Sequence, residues 1–98
     1  MNSVAMTSVR ALAVAIHQGG DAAAAIPWYQ AAIRLSPDDS EAHNNLGAAL
    51  ASRGDLAGAL QHFERAVEIR PSYAEARDNV RRVRAALGAA PPQSPARP

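Results

Sequence analysis

The sequence predicts an all-α protein built from antiparallel helix–turn–helix repeats, an α-solenoid. Identical residues recur 34 positions apart at many places along the chain. Between these recurrences the apolar residues follow helical rather than alternating spacing, and Ala, the strongest helix former, is abundant. A helical pattern that repeats at a fixed spacing is typical of a stacked array. The matched pairs include Pro37 and Pro71, Gly20 and Gly54, Asp21 and Asp55, and Leu12 and Leu46.

The first unit is predicted over residues 6–39, after a short lead over residues 1–5. Its first helix, residues 6–18, carries apolar residues at i, i+3, i+4 and i+7 and ends at two glycines. Asp21 then caps a second helix over about residues 22–35, because its carboxylate can accept from the free N–H groups at the helix start. The expected core stripe of the two helices comprises Val9, Leu12, Ala13, Ile16, Ala25, Ile26, Tyr29, Ala32 and Ile33.

Pro27 conflicts with the second helix. It lies beyond the first turn, where a proline removes one hydrogen bond of the helix and clashes with the preceding turn. We expect either a kink at Pro27 or a regular helix that begins later in the sequence.

The second unit is predicted over residues 40–73. Asp38, with Glu41 three residues later, resembles a capping box at the start of the third helix. Asp55 should cap the fourth helix, over about residues 56–69. The expected buried residues are Ala42, Leu46, Gly47, Ala49, Leu50, Leu56, Ala59, Leu60, Phe63, Ala66 and Val67.

A fifth helix is predicted over residues 74–88, with a capping box from Ser72 to Glu75 and an apolar stripe. Arg81 occupies the register in which the earlier units have a small residue, so we expect no paired helix after it. The helix is therefore a polar-faced cap of the kind that repeat arrays need. The proline-rich tail over residues 89–98 is expected to be disordered. The stripe comprises Ala76, Val80, Val83 and Leu87.

Residues 40–73 resemble a tetratricopeptide repeat, the 34-residue helix–turn–helix whose pattern is a Trp, then Leu-Gly, a Tyr, an Ala ahead of an aromatic, and a Pro. The Trp and Tyr of the pattern are replaced here by His43 and Leu50. The first unit matches more loosely, and the resemblance extends over about residues 6–88. The matching residues of the second unit are Leu46, Gly47, Ala59, Phe63, Ala66 and Pro71.

This resemblance implies a concave groove, lined by the first helix of each unit, that holds an extended peptide or a partner helix. Mapped by register, small residues lie in the middle of the groove and polar residues at its ends. The alternative for these residues is a solvated helix face with no ligand. The candidate groove residues are Arg10, Val14, His17, Glu41, Asn44, Asn45, Ala48, Asp78 and Arg82.

One binding mode of the family is not carried over to this chain. Repeat domains of this kind that clamp a carboxylate at a chain end use several basic residues and Asn. Arg10 and Asn45 fit two of these roles. Glu75 and Asn79, however, lie where two later positive charges belong, and a Glu repels a carboxylate.

Other functions receive little support from the sequence. No catalytic constellation, glycine-rich phosphate loop or Cys is present, so we expect neither an enzyme nor a cofactor. His17, His43 and His62 lie on three helices and are expected to be structural rather than metal ligands. The formal net charge of +1 and the lack of interleaved aromatics make a nucleic-acid partner an unfavoured alternative. No stretch approaches the length of a membrane span, and we expect a cytoplasmic protein.

A second functional hypothesis is self-assembly. Two and a half units are few for an array that usually needs about three. The first helix, through Val4, Val9 and Val14, is therefore expected either to form a homodimer or to dock onto further repeats of a larger array.

Overall fold

The computed structural model describes the backbone of residues 2–89 and the side chains of residues 9–88. This part of the chain contains five α-helices and no β-strand. Short turns connect the helices, so that consecutive helices lie antiparallel. The helices are α1 (Asn2–Gln18), α2 (Ala22–Leu35), α3 (Ser40–Ser52), α4 (Leu56–Ile69) and α5 (Ala74–Ala89).

Each helix packs mainly against its neighbours in the chain. α1 packs on α2, α3 on α4, and the units join through α2 against α3 and α4 against α5. In the described part of the chain, α1 also contacts α3, so the first helices of the two units touch each other. The array is elongated, with extents of 61 × 28 × 18 Å. The all-α repeat fold predicted from the sequence is confirmed.

Aspartate side chains cap three of the helices. Asp21 accepts from the amide of Ala24 at 2.9 Å, and Asp55 accepts from the amide of Gly58 at 2.9 Å, as expected. The third cap is Asp39, which accepts from the amide of Ala42 at 3.1 Å. The assignment of Asp38 as this cap was wrong, because α3 begins one residue later than the capping-box pattern placed it.

Glycine supplies the reversals between the helices of each unit. Gly20 has φ +100° and Gly54 has φ +87°, in the left-handed region that side chains with a Cβ rarely adopt. These glycines lie 34 residues apart and precede the aspartate caps of α2 and α4. The two units therefore make the same turn with the same residues.

Three expectations about helix ends change. α1 begins at Asn2, so residues 2–5 belong to it rather than to a lead. α2 runs continuously through Pro27 from Ala22, so the alternative of a late helix start was wrong. α5 begins directly after Tyr73, whose carbonyl accepts from the amide of Arg77 at 3.1 Å, so Ser72 lies one residue outside the capping position. Residue 89, which was predicted to start the disordered tail, is the last residue of α5. Residues 90–98 of the predicted tail lie outside the described part.

The core consists of two clusters along the array. The first joins α1, α2 and α3 around Tyr29 and Leu46, which are 1% and 2% exposed. The second joins α4 and α5 around Phe63, Val80 and Val83. Most of the predicted core stripe is buried or half-buried in these clusters. The exceptions are two residues at the two ends of the array, Leu12 (44% exposed) and Leu87 (42% exposed).

Candidate functional site

The predicted groove residues lie on α1, α3 and α5, which occupy equivalent places in the repeat. These residues differ in how far their side chains are exposed to solvent. Asn44 is buried, Arg82 is exposed, and the others are half-buried: Arg10, Val14, His17, Glu41, Asn45, Ala48 and Asp78.

Arg10 links the first helices of the two units. Its Nη1 donates to both carboxylate oxygens of Asp39 at 2.7 Å and lies 3.3 Å from Oε1 of Glu41. The side chains of Arg10 and Asp39 are only 29% and 17% exposed. Asp39 also caps α3, so one carboxylate closes α3 and binds the guanidinium from α1. This arrangement neutralises Arg10 and makes it a positioning residue for the two helices.

His17 and Val14 face the interior of the first unit more than the groove. Nδ1 of His17 lies 3.1 Å from the hydroxyl of Tyr29, and the two rings meet edge to face. Burial raises the pKa of Tyr29 further above the neutral range, in which a tyrosine hydroxyl is already protonated. Val14 packs against the first core cluster. Both side chains therefore contribute to the packing of α1 on α2.

Asn44 is only 1% exposed, and the prediction that it lines an open surface was wrong. Its Oδ1 accepts a hydrogen bond of 2.9 Å from Nδ2 of Asn79 on α5. A helix-face argument cannot anticipate this, because the partner lies 35 residues away on another helix. Asn44 instead fixes the position of α5 relative to α3.

A cavity of about 370 Å³ lies between α3 and α5 at the second unit. Small residues of α3 form one wall, the floor is apolar, and two polar side chains come from α5. The lining residues are Ala48, Ala51, Leu56, Phe63, Asn79, Arg82, Val83 and Ala86. We call this cavity the α3–α5 pocket.

The polar side of the α3–α5 pocket comes from Asn79 and Arg82. Asp78 forms an ion pair with Arg81, and its other oxygen lies 3.9 Å from Nη1 of Arg82. The Arg82 side chain is 73% exposed and this long contact holds it only loosely. Its guanidinium can therefore turn toward an acceptor on a ligand.

Sequence reasoning assigned Ala48 and Arg82 to the groove but missed the floor of the pocket. Phe63 and Val83 were expected only as core residues, and both also reach the cavity. The available signal was Gly47: without a side chain there, the Phe63 ring can lie directly against α3. No feature of the repeat sequence indicated that Ala86 would line the pocket.

A larger cavity, of about 460 Å³, lies on the other side of α5. It is lined by Glu64, Val67, Glu68, Arg77, Val80 and Arg84. Arg77, Arg81 and Arg84 lie 34 residues after His43, Gly47 and Leu50, the face of α3 that packs on α4. Within the described residues, the larger cavity therefore lies on the face of α5 that is equivalent to the face of α3 that packs on α4.

Tyr73 directly precedes α5 and lies near Glu41 and Asn44 of α3. Burial raises its pKa, and the nearby carboxylates of Glu75 and Glu41 raise it further, while Arg70 and a hydrogen bond with Asn44 oppose this rise. The guanidinium of Arg70 lies 4.2 Å from the centre of the Tyr73 ring.

Within the described residues, no group of three or more His, Cys, Asp or Glu side chains is placed to hold a metal ion. No helix of this part is both long enough and apolar enough to cross a membrane.

The family model described as "Tetratricopeptide repeat" matches residues 1–40 and 29–74. These matches cover more than half of the chain, and the chain belongs to the tetratricopeptide repeat family. Repeats of this family are in general protein–protein interaction modules, and the family is typically non-catalytic. No curated protein matches the sequence.

Proposed function

We propose that this chain is a non-enzymatic adaptor that binds an extended peptide or a partner helix on the surface formed by α1, α3 and α5. The observation that carries the proposal is the α3–α5 pocket, with an apolar floor and polar groups along one side. Such a concave site with few polar groups is the usual form of a binding site.

The lining of the pocket defines the chemistry of its occupant. Ala48 and Ala51 leave room above the floor formed by Phe63, so an apolar side chain of the ligand would be buried there. Asn79 and Arg82 would bind polar atoms of the ligand beside that side chain. Rigid helices present this surface, which limits the conformational entropy lost on binding.

The residues that we propose to line the groove are fewer than those predicted from the sequence. Asn45, Ala48, Asp78 and Arg82 remain candidate contact residues, with Glu41 at the end near Tyr73. Arg10, Val14 and His17 remain at the margin, where their contacts with other helices limit their part in binding. Asn44 is withdrawn because it is buried.

The proposal is tested with peptides selected from a random displayed library on the purified chain. The affinity of a selected peptide is then measured for the wild type and for Ala86→Trp, which places an indole at the pocket. We expect Ala86→Trp to weaken binding at least about tenfold, equivalent to about 1.4 kcal/mol.

The matched control is Ala85→Trp. Ala85 is exposed on the same helix but does not line the pocket, so this variant should bind within about twofold of the wild type. Equal affinities for all three proteins, or a library that yields no binder, would contradict the proposal.

The proposal also includes a division of the chain into repeat units, a cellular location and the class of partner. We divide the chain into a first unit over residues 2–39, which includes the whole of α1, a second over 40–73 and a capping helix over 74–89. A cytoplasmic location and the absence of a nucleic-acid partner complete the proposal.

A second candidate function, self-assembly, is favoured by a difference between equivalent residues. Leu12, Trp28 and Leu35 are 44%, 43% and 54% exposed. The residues 34 positions later are less exposed: Leu46, in the first core cluster, is 2% exposed, and His62 and Ile69 are half-buried. The apolar edge of the first unit therefore has the same register as a surface that is buried inside the array, and a second copy or a further repeat would cover it. Of the valines in the dimer hypothesis, Val9 and Val14 are half-buried, and the side chain of Val4 lies outside the described residues.

Sedimentation over a range of concentrations tests this candidate. A wild-type dimer that Leu12→Glu dissociates, while Leu87→Glu at the opposite end leaves it intact, would support self-association through the apolar edge. A monomer at all concentrations would rule out the homodimer.

A further inference from the structure

His43 and His62 form a close pair inside the second unit. Their Nδ1 atoms lie 3.2 Å apart, and the two rings are nearly parallel and meet edge to edge, with centroids 5.4 Å apart and an interplanar angle of 25°. His43 is 6% exposed and His62 is half-buried. The pair joins α3 to α4, the two helices of the unit.

The protons of the neutral pair can be assigned from the partners. Nε2 of His43 lies 2.9 Å from the carbonyl oxygen of Pro37, which can only accept, so this nitrogen carries the hydrogen. Nδ1 of neutral His43 then carries a lone pair, and Nδ1 of His62 donates to it. The pair thereby ties α4 to α3, and α3 to the turn that connects the two units.

This arrangement limits the protons that the folded chain can bind. One added proton can be accommodated if His43 donates from both nitrogens and His62 accepts at Nδ1. A second would place two N–H groups and two positive charges against each other at 3.2 Å. In the unfolded chain both imidazoles are free to protonate near the ordinary histidine pKa of about 6.5.

The charged groups around the pair do not allow the folded chain to bind a second added proton at the two histidines. Burial lowers the pKa of His62, and His43 lowers it further, while Asp55 at the start of α4 raises it. The other charged groups near the pair have partners of their own. Asp38 in the connecting turn pairs with Arg65 of α4, and Arg65 also binds Glu68. Asp39 pairs with Arg10 of α1. The remaining charged side chain, Arg34 of α2, is exposed to solvent.

A metal ion is a weaker explanation for the pair. Two imidazole nitrogens are only half of a tetrahedral ligand set. No third His, Cys, Asp or Glu of the described residues joins them.

We propose that the His43–His62 pair is a pH-sensitive clasp, which holds α3 against α4 and the connecting turn at neutral pH and loosens in mild acid. The sign follows from proton binding. Because the unfolded chain takes up more protons than the folded pair, stability is fully present above about pH 6.5 and falls as the pH drops below it. α3 also carries Ala48 and Ala51, so loosening would disturb one wall of the α3–α5 pocket, but the clasp does not depend on the proposed binding function.

The test compares the pH dependence of folding in matched variants. His62→Asn keeps an amide near the position of Nδ1 that can donate to His43, yet it cannot titrate. Between pH 7.5 and 5.5 we expect the unfolding equilibrium constant of the wild type to rise up to about tenfold more than that of His62→Asn. The control, His17→Asn, removes a histidine outside the pair and should retain the pH dependence attributed to the clasp. Equal pH dependence of wild type and His62→Asn would overturn the proposal.

NMR titration of the wild-type ring signals provides a test that requires no variant. We expect the His62 ring to titrate below the ordinary histidine range, because burial and the neighbouring His43 lower its pKa. Independent titration of both rings near pH 6.5, without loss of structure, would contradict the clasp even if the variants failed to fold.

Discussion

A Cβ atom at Gly47 would lie 2.7 Å from two carbons of the Phe63 ring and 3.1 Å from the carbonyl oxygen of Ala59. Real Cβ atoms do not approach ring carbons so closely. Gly47 is therefore needed for the close approach of α3 and α4, and the pattern residue Gly has a packing role here rather than a conformational one. The same contact places the Phe63 ring at the floor of the α3–α5 pocket.

Gly47→Ala should destabilise the chain. Overpacking of a buried site costs about 1–3 kcal/mol, which the better helix propensity of Ala offsets by about 1 kcal/mol. We expect a net loss of up to about 2 kcal/mol in the free energy of unfolding. The control is Gly88→Ala, since a Cβ at Gly88 has no neighbour within 4 Å. Chemical denaturation that finds both variants as stable as the wild type would contradict the close packing.

Phe63→Ala should remove the largest side chain of the second core cluster. Phe63 is 3% exposed, and truncation of a buried Phe costs about 3–5 kcal/mol. This is a large part of the stability of a small domain. We expect the variant to be largely unfolded by circular dichroism at room temperature. A melting curve unchanged from the wild type would exclude Phe63 from the core.

The Asn44–Asn79 hydrogen bond should couple α3 to α5. Asn79→Ala leaves the buried Oδ1 of Asn44 without this donor, which costs about 1–3 kcal/mol. In a double-mutant cycle with Asn44→Ala, the coupling energy should be about 0.5–3 kcal/mol. Additive effects of the two substitutions would indicate that the side chains act independently.

The Arg10–Asp39 pair should matter more than the ion pairs on the surface. Arg10→Met removes a partly buried bond to a helix cap, and we expect a loss of about 1 kcal/mol or more. The matched variant is Arg65→Met, whose partners Asp38 and Glu68 have side chains that are 81% and 68% exposed. Exposed pairs contribute about 0–1 kcal/mol. An equal effect of the two substitutions in urea denaturation would contradict the linking role of Arg10.

The helices could be predicted from the sequence because their signals are local. The 34-residue spacing, the glycine turns and the caps Asp21 and Asp55 fix the ends of α2 and α4. The cap of α3 could not be chosen in this way, because Asp38 and Asp39 are adjacent and chemically identical. Asp39 is the residue that both accepts from Ala42 and binds Arg10 of α1.

The candidate site was less predictable because it depends on contacts between helices. The position of Asn44 in the 34-residue repeat predicted that it lies on the surface, but Asn79 of α5 covers it. Register likewise treated His43 and His62 as separate structural histidines, while the structure brings them together. The small residues Ala48 and Ala51 were the useful local signal, because they leave the space that becomes the α3–α5 pocket.

The most direct test of the binding surface follows alanine methyl signals by NMR while a library-selected peptide is added to the wild-type chain. We predict that the methyl signals of Ala48, Ala51 and Ala86 shift, while those of the exposed residues Ala23 and Ala57 do not. Shifts at Ala23 or Ala57, with none at the three pocket residues, would contradict the account.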